Sequence, residues 1–129
     1  MLLYNRKMKV LVFNKNEKTR MVVGQLLKEL SFNVILAENE EQLLDALKTE
    51  SLDISFLDIS SIEDFPLAIE RILRYKKQSY ILMAIEQDDR YAKTEALLKG
   101  IDDYVYNDFR LEELSAKFRA IVRILNKRL

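Results

Sequence analysis

Residues 51–60 read SLDISFLDIS, a largely apolar stretch in which a carboxylate, Asp58, follows a strand-like run. The segment from Asp53 to Asp58 is short and rich in residues that favour strands, so it is predicted to form a β-strand. Its apolar character is typical of a strand that is covered on both faces, as in a parallel sheet between two layers of helices. The residues that the rest of the chain places beside Asp58 decide whether this carboxylate is reactive or only closes the strand.

The same pattern recurs along the chain, because five predicted strands alternate with five predicted helices. The strands are predicted at residues 9–13, 33–37, 53–58, 80–85 and 103–106. Asn14 or Asn16 can cap the first helix, Pro66 suits the start of the third, and Gly100 suits the end of the fourth. This alternation predicts an α/β fold of flavodoxin-like (βα)5 type, a doubly wound parallel sheet with strand order 2-1-3-4-5.

The last predicted helix has an apolar face that is expected to pack on the sheet. The residues that share this face are Leu111, Leu114, Phe118, Ile121, Val122 and Leu125. No linker or repeat divides the chain, so residues 9–129 are predicted to form a single domain. Residues 1–8 are predicted to be an N-terminal extension, of which residues 1–7 are expected to be loose.

The composition excludes several kinds of chemistry. The 129 residues include no cysteine and no histidine, which excludes disulfides, thiol catalysis and Ser-His-Asp catalysis. Lysine plus arginine equals aspartate plus glutamate, 21 against 21, so no net field attracts nucleic acid or an anionic membrane. Only two glycines are present, and they form no phosphate-binding loop. We therefore expect a protein that is cytoplasmic and is not an enzyme.

From Lys9 to Leu125 the chain resembles the receiver domain of two-component response regulators. Two stretches carry the resemblance, LDISFLDIS at residues 52–60 and GIDDYVYNDFRLEELSAKFRAIVRIL at residues 100–125. The second is similar to the end of receivers in the winged-helix transcription-factor branch. The resemblance implies a CheY-like domain of phosphorelay signalling, in which Asp58 falls on the position of the phospho-acceptor aspartate.

The resemblance also implies that the cleft around Asp58 is degenerate. The family's two acidic residues, which help to hold Mg²⁺, fall on Asn14 and Lys15, its hydroxyl residue on Ile85 and its lysine on Asn107. Mg²⁺ prefers carboxylate oxygens, and here the charges of Asp58 and Lys15 cancel. Binding of Mg²⁺ is therefore predicted to be lost, which leaves no metal and no cofactor and makes the domain a pseudo-receiver.

Lys15 allows a sharper hypothesis about the cleft. Its ammonium group can take the place of the metal and form an ion pair with Asp58, which would hold the cleft in one state. At 4 Å such a pair contributes about 4 kcal/mol of Coulomb energy at an effective dielectric constant near 20, before desolvation is subtracted. The alternative is that Lys15 points to solvent and Asp58 only caps the next segment.

Other positions resemble the family's switch and dimer residues. Tyr104 falls on the switch aromatic, and the alternative is an ordinary half-buried strand tyrosine. The dimer face of the winged-helix branch contains cross-subunit ion pairs. The matching residues are Lys93 with Glu113, Asp103 with Lys117, and Arg119, whose acidic partner position holds Leu98. A symmetric homodimer is therefore predicted, with a solvated charged face as the alternative.

These observations together predict a receiver-like domain that signals by protein–protein contact, without Mg²⁺-dependent phosphorylation. Its expected partners are proteins, such as a histidine kinase or an output domain, and not membranes or nucleic acids. One alternative is a conventional phospho-acceptor that uses Asp58. Another is the regulatory domain of a DNA-binding transcriptional regulator whose output domain is absent from this sequence. A small enzyme on the same fold is disfavoured, because histidine, cysteine and a glycine-rich loop are missing.

Overall fold

A parallel β-sheet with helices on both faces forms the centre of the computed structural model, which describes residues 1–3 and 6–128. The strands are β1 (Leu2–Leu3), β2 (Arg6–Lys7), β3 (Lys9–Phe13), β4 (Asn33–Ala37), β5 (Ile54–Asp58), β6 (Tyr80–Ile85) and β7 (Asp103–Tyr106). The helices are α1 (Glu17–Glu29), α2 (Glu40–Thr49), α3 (Phe65–Tyr75), α4 (Arg90–Lys99) and α5 (Leu111–Lys127), and a short 3₁₀ helix spans Ile59–Ser61.

The five main strands lie in the order β4-β3-β5-β6-β7, and every neighbouring pair is parallel. This is the predicted order 2-1-3-4-5, so the flavodoxin-like α/β fold is confirmed. All residues of the central strand, β5, and of its neighbour β6 are buried. Central strands lose solvent on both faces, which is why their sequences are apolar runs without alternation.

The helices divide into two layers. Buried residues of α2, α3 and α4 form one core with one face of the sheet, and buried residues of α1 and α5 form a second core with the other face. Side chains of Asn16, Asn39, Asp64 and Asp89 accept backbone N–H bonds at the starts of α1 to α4. Gly100 ends α4 with φ 115°, as predicted from its lack of a side chain.

The predicted apolar face of α5 is confirmed for five of its six residues, which are all buried. Leu111 is the exception, because it is 41% exposed at the start of the helix. Periodicity gives the direction of a side chain around the helix axis, but it does not reveal whether another element covers that turn.

The N-terminal residues that the structure describes are not loose. Strands β1 and β2 pair in antiparallel fashion, and Met8 after them is fully buried. The guanidinium of Arg6 donates two hydrogen bonds to the carboxylate of Asp53, at 2.7 and 2.9 Å, and the Lys9 N–H donates a third at 2.8 Å. The prediction of a loose extension is therefore wrong for these residues, while positions 4 and 5 lie outside the described residues.

Asp53 lies at the amino edge of the sheet, immediately before β5. Its burial raises the carboxyl pKa, but the hydrogen bonds from Arg6 and Lys9 outweigh this effect and lower the pKa below its ordinary value. Strand β2 is thus bonded, through Arg6, to the edge of the sheet opposite to the end of β5 where Asp58 lies. In the described part of the chain, no helix combines the length and apolarity needed to cross a membrane.

Candidate functional site

The candidate site lies at the carboxyl edge of the sheet, where parallel strands bring their last residues together. Asp58 ends β5, Ile85 ends β6, and Asn14 follows β3. The backbone N–H of Asn14 donates to the carbonyl of Ala37 at 3.1 Å, and that of Asn107 donates to the carbonyl of Ile85 at 2.8 Å. These bonds extend the sheet pattern into the loops and fix the backbone at Asn14 and Asn107.

Asp58 is 8% exposed, and two hydroxyl groups hold its carboxylate. Ser60 Oγ donates to Oδ2 at 2.8 Å, and Ser61 Oγ donates to the same oxygen at 2.6 Å. Ser61 is itself 4% exposed, and its Oγ accepts the backbone N–H of Lys15 at 2.9 Å. Ser61 therefore connects the acceptor-position carboxylate to the loop between β3 and α1, a role that the sequence analysis missed.

The predicted ion pair between Lys15 and Asp58 is absent. Within residues 1–3 and 6–128, the ion pairs closer than 4.0 Å are Arg6–Asp53, Lys9–Glu50, Arg20–Glu38 and Lys117–Asp103. Lys15 is exposed, as in the alternative interpretation. The reason is that serine hydroxyls already satisfy Asp58, so the lysine keeps its hydration instead of losing it in a buried pair.

Arg20 is a second residue of the site that the sequence analysis missed. It is 7% exposed, and its Nη1 donates to the carbonyl of Asn14 at 2.8 Å. Its Nη2 lies 3.4 Å from Oε2 of Glu38. A signal was present in the sequence, because Arg20 lies three and seven residues before the buried Val23 and Leu27 and thus on the inward face of α1.

The other residues predicted for the cleft provide few groups that could bind a metal ion or a phosphoryl group. Asn14 Oδ1 accepts the backbone N–H of Asn16 at 2.9 Å. Ile85 is fully packed into the core on the α2–α4 face. Asn107 is exposed at the end of β7. Within the described residues, only Asp58 provides a carboxylate at the five family positions.

The donor set does not fit Mg²⁺. This ion requires several oxygen ligands at close to octahedral geometry and favours carboxylates. Oδ2 of Asp58 is already engaged by two hydroxyls, and the guanidinium of Arg20 is bonded to the backbone of the loop that carries Asn14. In the described part of the chain, no group of three or more acidic residues is arranged to hold a metal.

The predicted switch aromatic, Tyr104, is half-buried in β7, and its ring lies 5.8 Å from the ring of Tyr106. Lys93 Nζ donates to Tyr106 Oη at 2.9 Å and to the carbonyl of Gln87 at 3.0 Å. The hydrogen bond from Lys93 lowers the pKa of Tyr106. Lys93 thus joins α4 to β7 within one chain, whereas the switch role of Tyr104 stays a prediction.

The predicted dimer residues lie together on α4, β7 and α5. Asp103 and Lys117 form an ion pair of 2.9 Å within the chain, while Glu113 and Arg119 are exposed. Leu98 on α4 is 78% exposed, so the position without an acidic partner is an apolar surface residue. The homodimer itself stays a prediction, since the structure contains a single chain.

Comparisons with known proteins agree on one family. The family model described as the response regulator receiver domain matches residues 10–119. The chain is 30% identical over 115 residues to the transcriptional regulatory protein CpxR of Escherichia coli, with 89% of this chain and 49% of CpxR covered. It is 29% identical over 116 residues to the alkaline phosphatase synthesis transcriptional regulatory protein PhoP of Bacillus subtilis, with 89% and 48% covered. The chain thus spans about half the length of these relatives.

Solved structures show the same fold. A two-component response regulator from Clostridium difficile superposes with a TM-score of 0.84 at 25% identity, covering 93% of this chain and 99% of that one. A CheY-like receiver domain from Methanospirillum hungatei has a TM-score of 0.87 at 14% identity, covering 96% and 100%, and at this identity the likeness concerns the fold alone. Because the family model spans most of the sequence, this chain belongs to the response regulator receiver domains of two-component systems.

Proposed function

We propose that this receiver domain signals by protein–protein contact in a state that requires neither Mg²⁺ nor phosphorylation of Asp58. The observation that carries the proposal is the double hydroxyl contact at Asp58, which satisfies its carboxylate without a cation. In family members with a pair of acidic residues after the first strand of the sheet, Mg²⁺ offsets the repulsion between carboxylates. Here Asn14 and Lys15 remove that repulsion, so the cleft needs no metal.

The chemistry of phosphoryl transfer supports the same conclusion. Transfer depends on cations and hydrogen-bond donors that stabilise charge on the transferring oxygens. The side chain of Ile85 has no donor, and that of Asn107 carries no charge. The domain would therefore be a pseudo-receiver without a cofactor and without enzymatic activity. We further propose that residues 9–129 form one unit and that this unit acts in the cytoplasm.

Intact-mass measurement tests this proposal. The protein would be incubated with a small-molecule phosphodonor, with and without Mg²⁺, beside an Asp58→Asn variant and a conventional receiver that shows the donor to be active. We expect no phosphoryl adduct on this chain under either condition. An adduct that requires both Mg²⁺ and Asp58 would establish the alternative, a conventional phospho-acceptor that serves a histidine kinase.

A second candidate function rests on the coverage of the relatives. The chain spans about half of two proteins that are named as transcriptional regulatory proteins. We propose, as the alternative context, that the domain regulates a DNA-binding output domain of the same polypeptide. Sequencing of the gene and its transcript beyond codon 129 tests this, since an in-frame winged-helix region supports it and an immediate stop codon contradicts it.

In either context the face formed by α4, β7 and α5 would mediate a symmetric homodimer. Its charged residues are Lys93, Asp103, Glu113, Lys117 and Arg119. Exposed ion pairs contribute little, so apolar contacts such as that of Leu98 would supply much of the affinity. Sedimentation of a Leu98→Asp variant tests the face, because an added charge at its apolar residue is expected to shift a dimer to monomer.

A further inference from the structure

An apolar groove with an acidic rim lies between α2 and α3, whereas the switch and dimer residues belong to α4, β7 and α5. Its floor is apolar and includes Leu67, and its rim consists of Glu40, Glu41, Glu63 and Asp64 beside Arg71. Leu67 is 52% exposed there. We name this surface the acid-rimmed groove, and neither the cleft chemistry nor the predicted dimer uses it.

The rim retains unneutralised charge. Four carboxylates against one guanidinium leave a formal charge of −3. Glu40 accepts only the backbone N–H of Glu63 at 3.3 Å, and Asp64 caps α3. The exposed side chains of Glu41 and Glu63 have no hydrogen bond or ion pair within the described part of the chain. The groove thus combines exposed apolar surface with a field that favours a cationic occupant.

The complementary surface occurs on the same chain, along the outer side of α5. Arg119, Arg123 and Lys127 follow one another at intervals of four residues, so they form one row on the helix, and all three are exposed. Ile124 beside the row is 39% exposed. We name these four residues the basic stripe. The only acidic residues of α5 are in its first turn, away from the row.

The two surfaces cannot meet within one molecule. Helices α2 and α3 cover one face of the sheet, whereas α5 covers the other. We propose that the acid-rimmed groove of one copy receives the basic stripe of a second copy, with Ile124 seated near Leu67. A contact between two different surfaces is heterologous, so each pair still has a free groove and a free stripe at its ends. The neutral total charge means that no net repulsion opposes this association.

Sedimentation velocity of the full chain at increasing protein concentration provides the test. At low ionic strength, about 0.02 M salt, we expect the average mass to rise with concentration, and to fall back at about 0.5 M salt. The variants Glu41→Lys/Glu63→Lys and Arg123→Glu/Lys127→Glu are each expected to weaken association by at least about tenfold. The matched control is Lys18→Glu/Lys99→Glu, which reverses two exposed charges outside both surfaces and is expected to associate like the parent. Circular dichroism verifies that each variant is folded.

A mixing experiment separates this contact from the symmetric dimer. The groove variant keeps an intact stripe, and the stripe variant keeps an intact groove, so an equimolar mixture can form a single contact. We expect the mixture to associate more strongly than either variant alone, whatever symmetric dimer each variant forms. The proposal is overturned if the average mass of the parent is the same at low and at high salt, if the groove variant associates like the parent, or if the mixture associates no more than the separate variants. None of these outcomes depends on whether Asp58 accepts a phosphoryl group.

Discussion

Replacement of Ser61 with alanine tests whether hydroxyl groups, rather than a cation, hold the cleft together. The change deletes one atom, Oγ, which donates to Asp58 Oδ2 at 2.6 Å and accepts the Lys15 N–H at 2.9 Å. Alanine keeps the Cβ and fits the same space, so steric strain does not contribute. Two hydrogen bonds are lost, and among the described residues the carboxylate of Asp58 then accepts a side-chain hydrogen bond only from Ser60.

The expected loss of stability depends on how deeply the two hydrogen-bond partners of Ser61 are buried. A hydrogen bond to a charged group contributes about 1.5–3 kcal/mol, and a neutral one about 0.5–1.5 kcal/mol. Asp58 is buried, so water replaces the lost donor poorly, whereas Lys15 is exposed and its amide can find water. We therefore expect the free energy of unfolding to fall by about 2 kcal/mol, close to the loss of the charged bond alone.

Urea denaturation followed by circular dichroism measures this loss, provided that the slope of the transition is unchanged. The matched control is Ser60→Ala, which deletes the same group at an exposed position, where water can substitute. Its expected loss is below about 1 kcal/mol. If Ser61→Ala is no less stable than Ser60→Ala, the hydroxyl contacts do not organise the cleft and the proposed metal-free state loses its physical basis.

Three further measurements test the same structure. Asp58→Asn is expected to lower the free energy of unfolding by about 1 kcal/mol, because an amide accepts hydroxyl hydrogen bonds less strongly than a carboxylate; a gain in stability would instead indicate repulsion within an acidic cleft. Addition of about 10 mM Mg²⁺ is expected to leave that free energy unchanged, whereas a site with a Kd of about 1 mM would raise it by about 1.4 kcal/mol. Arg6→Ala is expected to lower the free energy of unfolding by about 1 kcal/mol at neutral pH. Because the folded-state pKa of Asp53 is lowered, this contribution is present above about pH 4 and is lost as the pH falls through the lowered value. If urea denaturation shows that Arg6→Ala lowers the free energy of unfolding equally at neutral pH and at about pH 2, the ion pair is contradicted.

Local patterns of the sequence predict much of the fold. The run YILMAI at residues 80–85 is buried throughout, and it was predicted as a covered strand because both faces are apolar. Gly100 was predicted from a single residue, and the cap of the first helix was predicted at Asn14 or Asn16, of which Asn16 is the observed cap. Each effect involves only the neighbouring turn. The strand order followed from the alternation of strands and helices, because right-handed crossovers leave few arrangements of such a sheet.

The structure gives the place of the predicted cleft residues in the sheet, whereas their role as a site stays a prediction, and the contacts of Asp58 were not predicted. Asp58, Asn14 and Ile85 do lie at one edge of the sheet, because parallel strands end together. The sequence did not reveal which group would satisfy Asp58, and the lysine predicted for that role is exposed and forms no ion pair with it. Ser61 was not recognised, because a serine after a strand looks like an ordinary turn residue until its neighbours in space are known.

The sequence by itself thus determined the five strands of the main sheet, the five helices and their order, and it predicts that the family's charged cleft residues are lost. Tertiary structure alone decided that Ser61, which is bonded to Asp58, also reaches Lys15 across 46 positions, and that Arg6 reaches Asp53 across 47. Strands and helices leave periodic patterns of apolar residues in the sequence, and these patterns can be recognised without the tertiary structure. A contact between distant segments depends on where the whole sheet places two side chains, and on which of several possible partners loses least hydration when it is buried there.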